Sequence, residues 1–334
     1  MLNKDSKQFK TFIRTAIYIS IIALLFIGGL FTGKSLKLLT KISSTQTELD
    51  KNDLGLNDST LETHEELSKG KIITLAAYGL DRRNSEETPR SDAIMLITID
   101  PDRKKVKLIS IMRDLYVNID GVGKDKLNHA YFYGGPSLSI KTLNKTFDLN
   151  IQDYISLDFF NLPKIIDELG GVELEVKSQE INNLNKYIRE NQSLLGLKGD
   201  YRIKNPGIQN LSGVQALSYA RIRSVGDGDF ERTERQRKVI LAMIEKAKTL
   251  SPLKLTGLVE KYIDSIETSL SLNKILSIGA NLLLGKYDIE QSRVPFEGDF
   301  DKDGRLINGV WYLTFNQERA KENLHNYIFE DILP

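Results

Sequence analysis

One uninterrupted apolar run near the amino terminus limits most strongly what this chain can fold into. Nineteen uncharged, mostly apolar residues lie between Arg14 and Lys34, about the length that a helix needs to span a bilayer. Four basic residues precede the run and favour a cytoplasmic amino terminus, although three lysines also follow it. Because no small-residue cleavage signature follows, we predict an uncleaved single-span transmembrane helix at 15–33, preceded by a cytoplasmic tail at 1–14.

The segment after this run has the composition of a solvated linker. Residues 42–69 hold seven acidic and two basic residues, without an aromatic residue or a proline. A segment with so few apolar groups cannot form a core of its own. We therefore predict a stalk at 34–69 and an extracytoplasmic domain at 70–334.

Residue usage excludes several kinds of function. The chain has no cysteine, which rules out disulfides, thiolate metal sites and cysteine nucleophiles. Residues 1–41 carry seven basic residues and one aspartate, so they contribute +6 to the total of +1 and leave −5 for the rest. A mildly acidic domain lacks the basic surface that nucleic-acid binding needs, so we expect no nucleic-acid partner.

The pattern of apolar residues predicts a layered domain. Ile72–Leu80, Ala93–Ile99 and Val106–Met112 form apolar runs typical of strands. Strands and helices alternate further along the chain. The remaining predicted elements are helices at Pro136–Leu149, Leu162–Leu169 and Asn316–Phe329, and strands at Tyr154–Phe160, Val172–Val176 and Val310–Phe315. This alternation predicts an α/β (α+β layered) fold with a central mixed β-sheet flanked by helices.

Charged residues stand at the ends of the first three predicted strands. If these strands alternate in direction within one sheet, the charged residues meet at one edge, and they are Asp81, Arg90, Asp92 and Arg113. Paired carboxylates beside arginines suit a Mg²⁺ ion that bridges to phosphate. Turn capping and ordinary salt bridges are the alternative explanation.

A second concentration of charge lies in Leu211–Ile240. We expect a helix over Leu211–Ala220, then an extended Ala220–Ser224 that points Arg221 and Arg223 to one face. Asp229 could cap a new helix, on which Arg232 and Gln236 are one turn apart. A cluster of guanidinium groups matches phosphate oxygens; a solvated basic helix face is the alternative.

Three other stretches lead to weaker expectations. Ser178–Asn205 is polar, so we expect this segment to be an insertion and not part of the core. Leu253–Leu284 is rich in Leu and Ile and could supply core, or the wall of a pocket for an apolar tail. Asp299–Gly304 imitates the start of a calcium-binding loop, but the twelfth position is Val310 instead of glutamate, so we predict a turn between strands.

Five short motifs stand in a characteristic order within residues 70–250. They are Tyr78-Gly-Leu-Asp81-Arg82, Arg90-Ser-Asp92, Ile111-Met-Arg113-Asp114, Tyr219-Ala-Arg221-Ile-Arg223 and Asp229…Arg232…Arg235-Gln236. In this order they resemble the LytR-CpsA-Psr family of bacterial cell-envelope phosphotransferases. The chain departs from the family pattern at Met112, where proline is common, and at Phe230-Glu231 before Arg232.

The resemblance implies a function and a set of site residues. The implied reaction moves a glycopolymer, such as a teichoic acid or capsule, from a polyprenyl-pyrophosphate carrier to peptidoglycan, outside the cell membrane of a Gram-positive bacterium. Asp81 and Asp92 would hold Mg²⁺. The implied substrate-binding residues are Arg82, Arg90, Arg113, Arg221, Arg223, Arg232 and Gln236. The implied catalytic residues are Asp81, Asp92, Arg113, Arg221, Arg223 and Asp229, with Asp92 and Asp229 as candidate bases.

Two other functions remain open at this point. A hydrolase of the same carrier would use the same site with water as the acceptor. A non-catalytic, glycolipid-binding regulator of envelope assembly would not need the paired carboxylates.

Overall fold

A computed structural model describes most of the chain after residue 48. The described residues are 49–56, 58–68, 71–81, 89–158, 160–226, 228–262, 265–271, 274–275, 278, 282 and 286–334. The predicted tail and transmembrane helix lie outside them. Within the described part, no helix combines the length and the apolar character needed to cross a membrane.

The strands pair into one large sheet and several two-stranded ribbons. In chain order they are β1 Ile73–Asp81, β2 Arg90–Asp100, β3 Lys105–Ile111, β4 Tyr116–Ile119, β5 Gly123–Lys126, β6 Tyr154–Asp158, β7 Val172–Val176, β8 Gly207–Leu211, β9 Ile266–Thr268, β10 Asp288–Val294, β11 Arg305–Ile307 and β12 Val310–Tyr312. The large sheet has the order β10-β3-β2-β1-β6-β9. Its β1–β6 and β10–β3 pairs are parallel and the others antiparallel, so the predicted mixed sheet is confirmed.

Helices flank this sheet. They are α1 Asp58–Ser68, α2 Leu127–Phe147, α3 Leu162–Leu169, α4 Ile181–Leu195, α5 Gly213–Ala220, α6 Asp229–Lys248, α7 Pro252–Tyr262 and α8 Gln317–His325. Short turns of other helix types cover Lys51–Leu54, Ser178–Glu180 and Asn326–Glu330. One sheet face packs against α2 and α8 in the main core, which includes Leu96, Ile109 and Leu143. Each such side chain contributes about 1.5–3 kcal/mol when fully buried.

The opposite face of the sheet is covered by a smaller apolar cluster. Met95 and Leu108 contact Ile240 and Leu241 of α6 there, together with Ile278 and Leu282. The last two belong to the apolar stretch 253–284, whose described part therefore supplies core.

A second core lies beneath the β7–β8 ribbon and helices α3 to α6. The segment 178–205, predicted to be an insertion, contributes buried Leu184, Ile188 and Ile203 to this core, so that prediction is wrong. The apolar residues of α4 are spaced at a helical period, and the intervening polar residues obscure this period in the sequence.

Several local predictions also need correction. The helix α2 begins at Leu127 and not at the predicted Pro136, because Leu127, Ala130 and Tyr131 form a buried face. Its helical geometry is interrupted at Gly134 and Gly135, next to the proline expected to start the helix. Leu211 ends β8 instead of starting a helix.

The acidic turn at 299–304 joins elements, as predicted. Asp299 is buried and accepts hydrogen bonds from Arg319 Nε at 2.7 Å and from Asn323 Nδ2 at 3.0 Å. The chain then enters the β11–β12 ribbon. This carboxylate holds the turn against α8.

The described part of the predicted stalk packs onto the domain. Leu54 belongs to the main core. His64 of α1 is also buried, and its Nε2 lies 2.8 Å from the carbonyl oxygen of Asp148. Burial lowers the pKa of His64, against the opposing influence of this backbone contact.

Candidate active site

The charged residues at the strand ends meet at one edge of the sheet. Asp81 lies opposite Arg90 in the antiparallel β1–β2 register. Asp92 accepts a hydrogen bond of 2.5 Å from Nη1 of Arg113, which follows β3. The side chain of Asp81 and all of Arg82 lie outside the described residues. Arg90, Asp92 and Arg113 lie together at this edge, so the predicted meeting of the strand ends is confirmed for these three residues.

Arg113 is surrounded by carboxylates. Besides Asp92, its Nε lies 3.2 Å from Asp114 and 3.5 Å from Asp229. Burial by itself lowers the pKa of Arg113, but the three carboxylates outweigh burial and raise it. For Asp114, burial raises the pKa, and Arg113 and Lys126 more than reverse that effect. Arg113 therefore carries a permanent positive charge.

Asp229 joins the sheet edge to the arginine-rich stretch. Its carboxylate lies 2.6 Å from Arg232 Nη2 and 3.5 Å from Arg223 Nε, in addition to Arg113. We expected Asp229 to cap a helix, but it is the first residue of α6, and the cap position is Gly228 with φ 61°. Asp229 therefore orients three guanidinium groups.

Arg232 has an unsatisfied donor. It is buried, with 3% of its surface exposed, and its Nε has no hydrogen-bond partner among the described residues. Burial lowers its pKa to about 10, because Asp229 offsets the cost of burial only in part and Arg113 and Arg223 add repulsion. Buried donors without a partner are rare, so an anion at this position would stabilise the site.

A cavity of about 690 Å³ opens beside these groups. The predicted site residues that line it are Asp92, Arg221, Arg223, Arg232 and Gln236. Its apolar lining comes from Phe160, Leu194, Leu195, Leu217 and Ala220. We considered Leu253–Leu284 as a source of an apolar wall near the arginine cluster. Instead, α4 and α5 supply most of the apolar wall. None of the described residues of Leu253–Leu284 lines this cavity.

The arginine pair reaches the cavity by a different backbone path from the one predicted. Ala220 is the last residue of α5, and Arg221 caps the helix with the helical backbone angles φ −95° and ψ −10°, so Ala220–Ser224 is not extended throughout. The helix continues because Ala216, Leu217 and Ala220 are buried on it. Both arginines still line the same cavity.

Arg235 and Arg237 lie behind the site instead of in it. Arg235 is buried and donates to Glu180 at 2.8 Å and to Glu231 at 2.6 Å. It also donates to the carbonyl oxygens of Ile222 and Val225 at 3.2 and 3.4 Å. Arg235 therefore holds in place the loop that carries Arg223.

Arg237 packs against the sheet. It donates to Ser110 of β3 at 2.7 Å, and burial lowers its pKa to about 10. Among the described residues no carboxylate forms a salt bridge with it.

Two residues of α4 that the sequence analysis missed hold Arg221. Its Nη1 donates to Asn191 Oδ1, and its guanidinium lies 5.6 Å from the centre of the Tyr187 ring. Asn191 is buried and donates in turn to Ser218 Oγ at 2.8 Å. A polar residue continuing the buried face of Leu184 and Ile188 was the available signal.

Replacing Asn191 by alanine is expected to weaken binding of a pyrophosphate-bearing lipid by about fivefold, because Arg221 loses the acceptor that orients it. Calorimetric titration measures this affinity. Asn185→Ala is the matched control: Asn185 is also on α4, but among the described residues it bonds only the backbone of Ile203. Equal weakening in both variants would show a general effect on α4.

The carboxylates present suit a magnesium ion. Of the two predicted ligands, Asp81 has no described side chain, and Asp92 is partly exposed and contacts Arg113. Mg²⁺ is commonly held by one or two carboxylates together with water and substrate phosphates. Among the described residues, no three acidic or histidine side chains form a complete protein ligand set. The donors therefore fit an ion shared with a phosphate.

The sequence of the chain is similar to that of known proteins. The family model described as the LytR_cpsA_psr family matches residues 36–328. The chain is 32% identical over 311 residues to the polyisoprenyl-teichoic acid–peptidoglycan teichoic acid transferase TagU of Bacillus cereus, covering 92% of this chain and 94% of that protein.

Solved structures show the same architecture. A structure of TagT bound to LIIa-WTA has a TM-score of 0.62 and 28% identity, covering 79% of this chain and 92% of that one. The LytR-CPS2A-psr family protein YwtF (TagT) with bound octaprenyl pyrophosphate lipid has a TM-score of 0.57 and 25% identity, with the same coverage.

Proposed function

The chain belongs to the LytR-CpsA-Psr family, and from this premise we propose that it transfers a glycopolymer, such as a teichoic acid or capsule, from a polyprenyl-pyrophosphate carrier to peptidoglycan. The observation that carries the proposal is the cavity, which combines arginines with an apolar wall. Such a cavity suits a ligand with an anionic head and an isoprenoid tail. The names of TagU and of the lipid-bound YwtF support this substrate class.

The arginines bind and orient the pyrophosphate. Arg221 and Arg223 present planar donors to the cavity, and Arg232, whose buried Nε has no hydrogen-bond partner among the described residues, is a third lining arginine. Gln236, one turn further along α6, adds an amide. The remaining predicted ligands, Arg82, Arg90 and Arg113, would contact the phosphates from the sheet edge. The apolar wall would exclude water from the lipid end of the bond.

Charge neutralisation is the main chemical task of this site. Phosphoryl transfer depends on positioning and on stabilising charge on the phosphoryl oxygens. Mg²⁺ bound to Asp81 and Asp92 would neutralise and orient those oxygens. Asp229 already contacts three arginines, whereas Asp92 contacts one among the described residues. Asp92 is therefore the better candidate to receive the proton of the acceptor hydroxyl.

The place of the reaction follows from the substrate. A polyprenyl carrier remains in the membrane, so the enzyme must work at the membrane surface. The single-span helix at 15–33 would hold the domain on the outer face of the cell membrane of a Gram-positive bacterium, beside carrier and peptidoglycan.

Replacing Asp92 by asparagine is expected to lower transfer by about 10²–10³-fold, because the site loses a proposed magnesium ligand and the group that would accept the proton of the acceptor hydroxyl. The measurement follows a labelled glycopolymer from its lipid pyrophosphate into insoluble peptidoglycan, with Mg²⁺ and with a chelator. Asp102→Asn is the control: Asp102 lies beyond the other end of β2 and forms an exposed salt bridge with Lys71.

The products separate this function from its rivals. Transfer retained in Asp92→Asn would disprove the role assigned to Asp92. Transfer retained in the presence of the chelator would disprove the role assigned to the ion. Release of free glycopolymer, without linkage to peptidoglycan, would identify a hydrolase. Binding of the carrier without turnover would identify a regulator.

A further inference from the structure

An aromatic surface lies next to the candidate active site. It is formed by side chains from β4, the start of α2 and β12, and we call it the aromatic patch. Its members are Tyr116, His129, Phe132, Tyr133, Trp311 and Tyr312. Phe132, Tyr133 and Trp311 are exposed, at 39%, 49% and 39%. Exposed aromatic groups that adjoin one another mark binding surfaces more often than isolated ones do.

One carboxylate holds several of these rings in place. Asp125 accepts hydrogen bonds from Tyr133 Oη at 3.2 Å and from Tyr312 Oη at 3.4 Å, and its Oδ2 lies 2.8 Å from His129 Nδ1. Tyr116 packs against Tyr312 with ring centres 4.7 Å apart. The patch is therefore ordered before any ligand arrives, which lowers the entropic cost of binding.

The patch is connected to the reacting groups. Lys126 lies 5.9 Å from both the Trp311 and the Tyr312 rings, and its Nζ donates to Asp114 at 2.7 Å. Asp114 in turn contacts Arg113.

A second connection runs through the start of β2. The guanidinium of Arg90 lies 5.4 Å from the centre of the Phe132 ring, two residues before Asp92. A ligand on the patch would thus extend to the sheet edge.

The cavity and the patch are connected to Asp92 through different residues. Asp92 lines the cavity, whereas its partner Arg113 connects to the patch through Asp114 and Lys126. None of the cavity's described lining residues belongs to the patch. In phosphoryl transfer the attacking and leaving oxygens are roughly in line. If the lipid phosphate leaves toward the cavity, the patch is a surface outside the cavity from which the acceptor can arrive.

From this arrangement we propose that the aromatic patch binds the glycan strand of the peptidoglycan acceptor, an inference that rests on the proposed function. The C–H faces of pyranose rings pack on Phe132, Tyr133 and Trp311, because aromatic rings offer large, rigid apolar surfaces with polar tips. The acidic substituents of the strand lie near Lys124 and Lys126. Lys124 stands 5.6 Å from the centre of the Tyr116 ring. The strand presents its hydroxyl to the phosphate between Arg113 and Arg90.

The chain carries its own probe for this test. Trp311 is the single tryptophan of the sequence, so its emission reports on the patch alone. Uncross-linked peptidoglycan strands with their stem peptides are titrated into the full chain in phosphatidylcholine vesicles, which contain no other protein. We expect a saturable emission change in the parent and about tenfold weaker binding in Tyr133→Ala. Ile208→Ala, which truncates another exposed apolar side chain, on β8, should bind like the parent.

Three results would overturn the inference. Tyr133→Ala could bind the strands as tightly as the parent does. The emission could respond to free donor glycopolymer, and not to peptidoglycan strands. It could also respond to exchanging phosphatidylcholine for phosphatidylglycerol, and not to the strands, which would assign the patch to the membrane.

A separate assay distinguishes failure of this inference from failure of the proposed function. Binding of polyprenyl pyrophosphate by the parent is measured calorimetrically without any glycan. If the parent fails to bind this lipid, the proposed function fails, whatever the tryptophan titration shows. If the parent binds the lipid but the strands do not bind to the patch, only the present inference fails.

Discussion

Arg223→Ala should transfer glycopolymer about 10³-fold more slowly than the parent chain. An arginine that stabilises charge on a transferring phosphoryl group contributes about 10³–10⁵ in rate. Arg223 lines the cavity, and its only described ion-pair contact is Asp229, at 3.5 Å, so its donors remain available for phosphate. Arg223→Lys should stay impaired, because an ammonium group restores the charge without the planar pair of donors.

Single-turnover transfer from a defined lipid pyrophosphate measures this loss. The matched control is Arg202→Ala, which removes an exposed arginine paired with Asp200 away from the site. The melting temperature of all variants should stay close to that of the parent, since exposed ion pairs contribute little to stability. A rate within threefold of the parent for Arg223→Ala would remove Arg223 from the site.

The second large effect concerns stability. Arg235→Met should lower the free energy of unfolding by about 3–5 kcal/mol, because it leaves Glu180 buried without its cation. Glu180 and Arg235 are both nearly inaccessible, with 3% and 4% of their side chains exposed. The change also removes the donors that hold the loop 222–225. Replacing both partners, in Glu180→Leu/Arg235→Met, should recover much of the loss, since no buried charge is left unpaired and Glu231, the other partner of Arg235, is 35% exposed.

Thermal and denaturant unfolding measure these differences. Lys238→Ala is the control on the same helix: Lys238 pairs with Glu234 in an exposed i,i+4 contact that should contribute less than about 1 kcal/mol. If Arg235→Met matches this control, or if the double variant is no more stable than the single one, the pair does not have this structural role.

The strand ends were predictable because strand direction is a local property. Short connections alternate the direction of β1, β2 and β3, so Asp92 and Arg113 had to meet if the strands share a sheet. No knowledge of distant contacts was required. The motif order added the residues of α6, including Arg232 and Gln236, which line the cavity.

The arginine-rich stretch was predictable only in part, because its residues look alike in sequence. Five arginines lie between positions 221 and 237. Arg221, Arg223 and Arg232 line the cavity, while Arg235 and Arg237 are buried behind it. Helical spacing does not tell whether an arginine binds a ligand or forms a structural ion pair. The contact partner decides this, and for Arg235 the partner is Glu180.

The sequence by itself determined the layered fold class, the meeting of the strand ends and the family. Each depends on short apolar periods or on residues close together in a motif. Only the tertiary structure decided which helix completes the cavity and which side chains orient its arginines. Asn191 and Arg221 are 30 positions apart, and Glu180 and Arg235 are 55 apart. Such contacts arise when separate helices pack around a common core, and no local pattern of either partner encodes them.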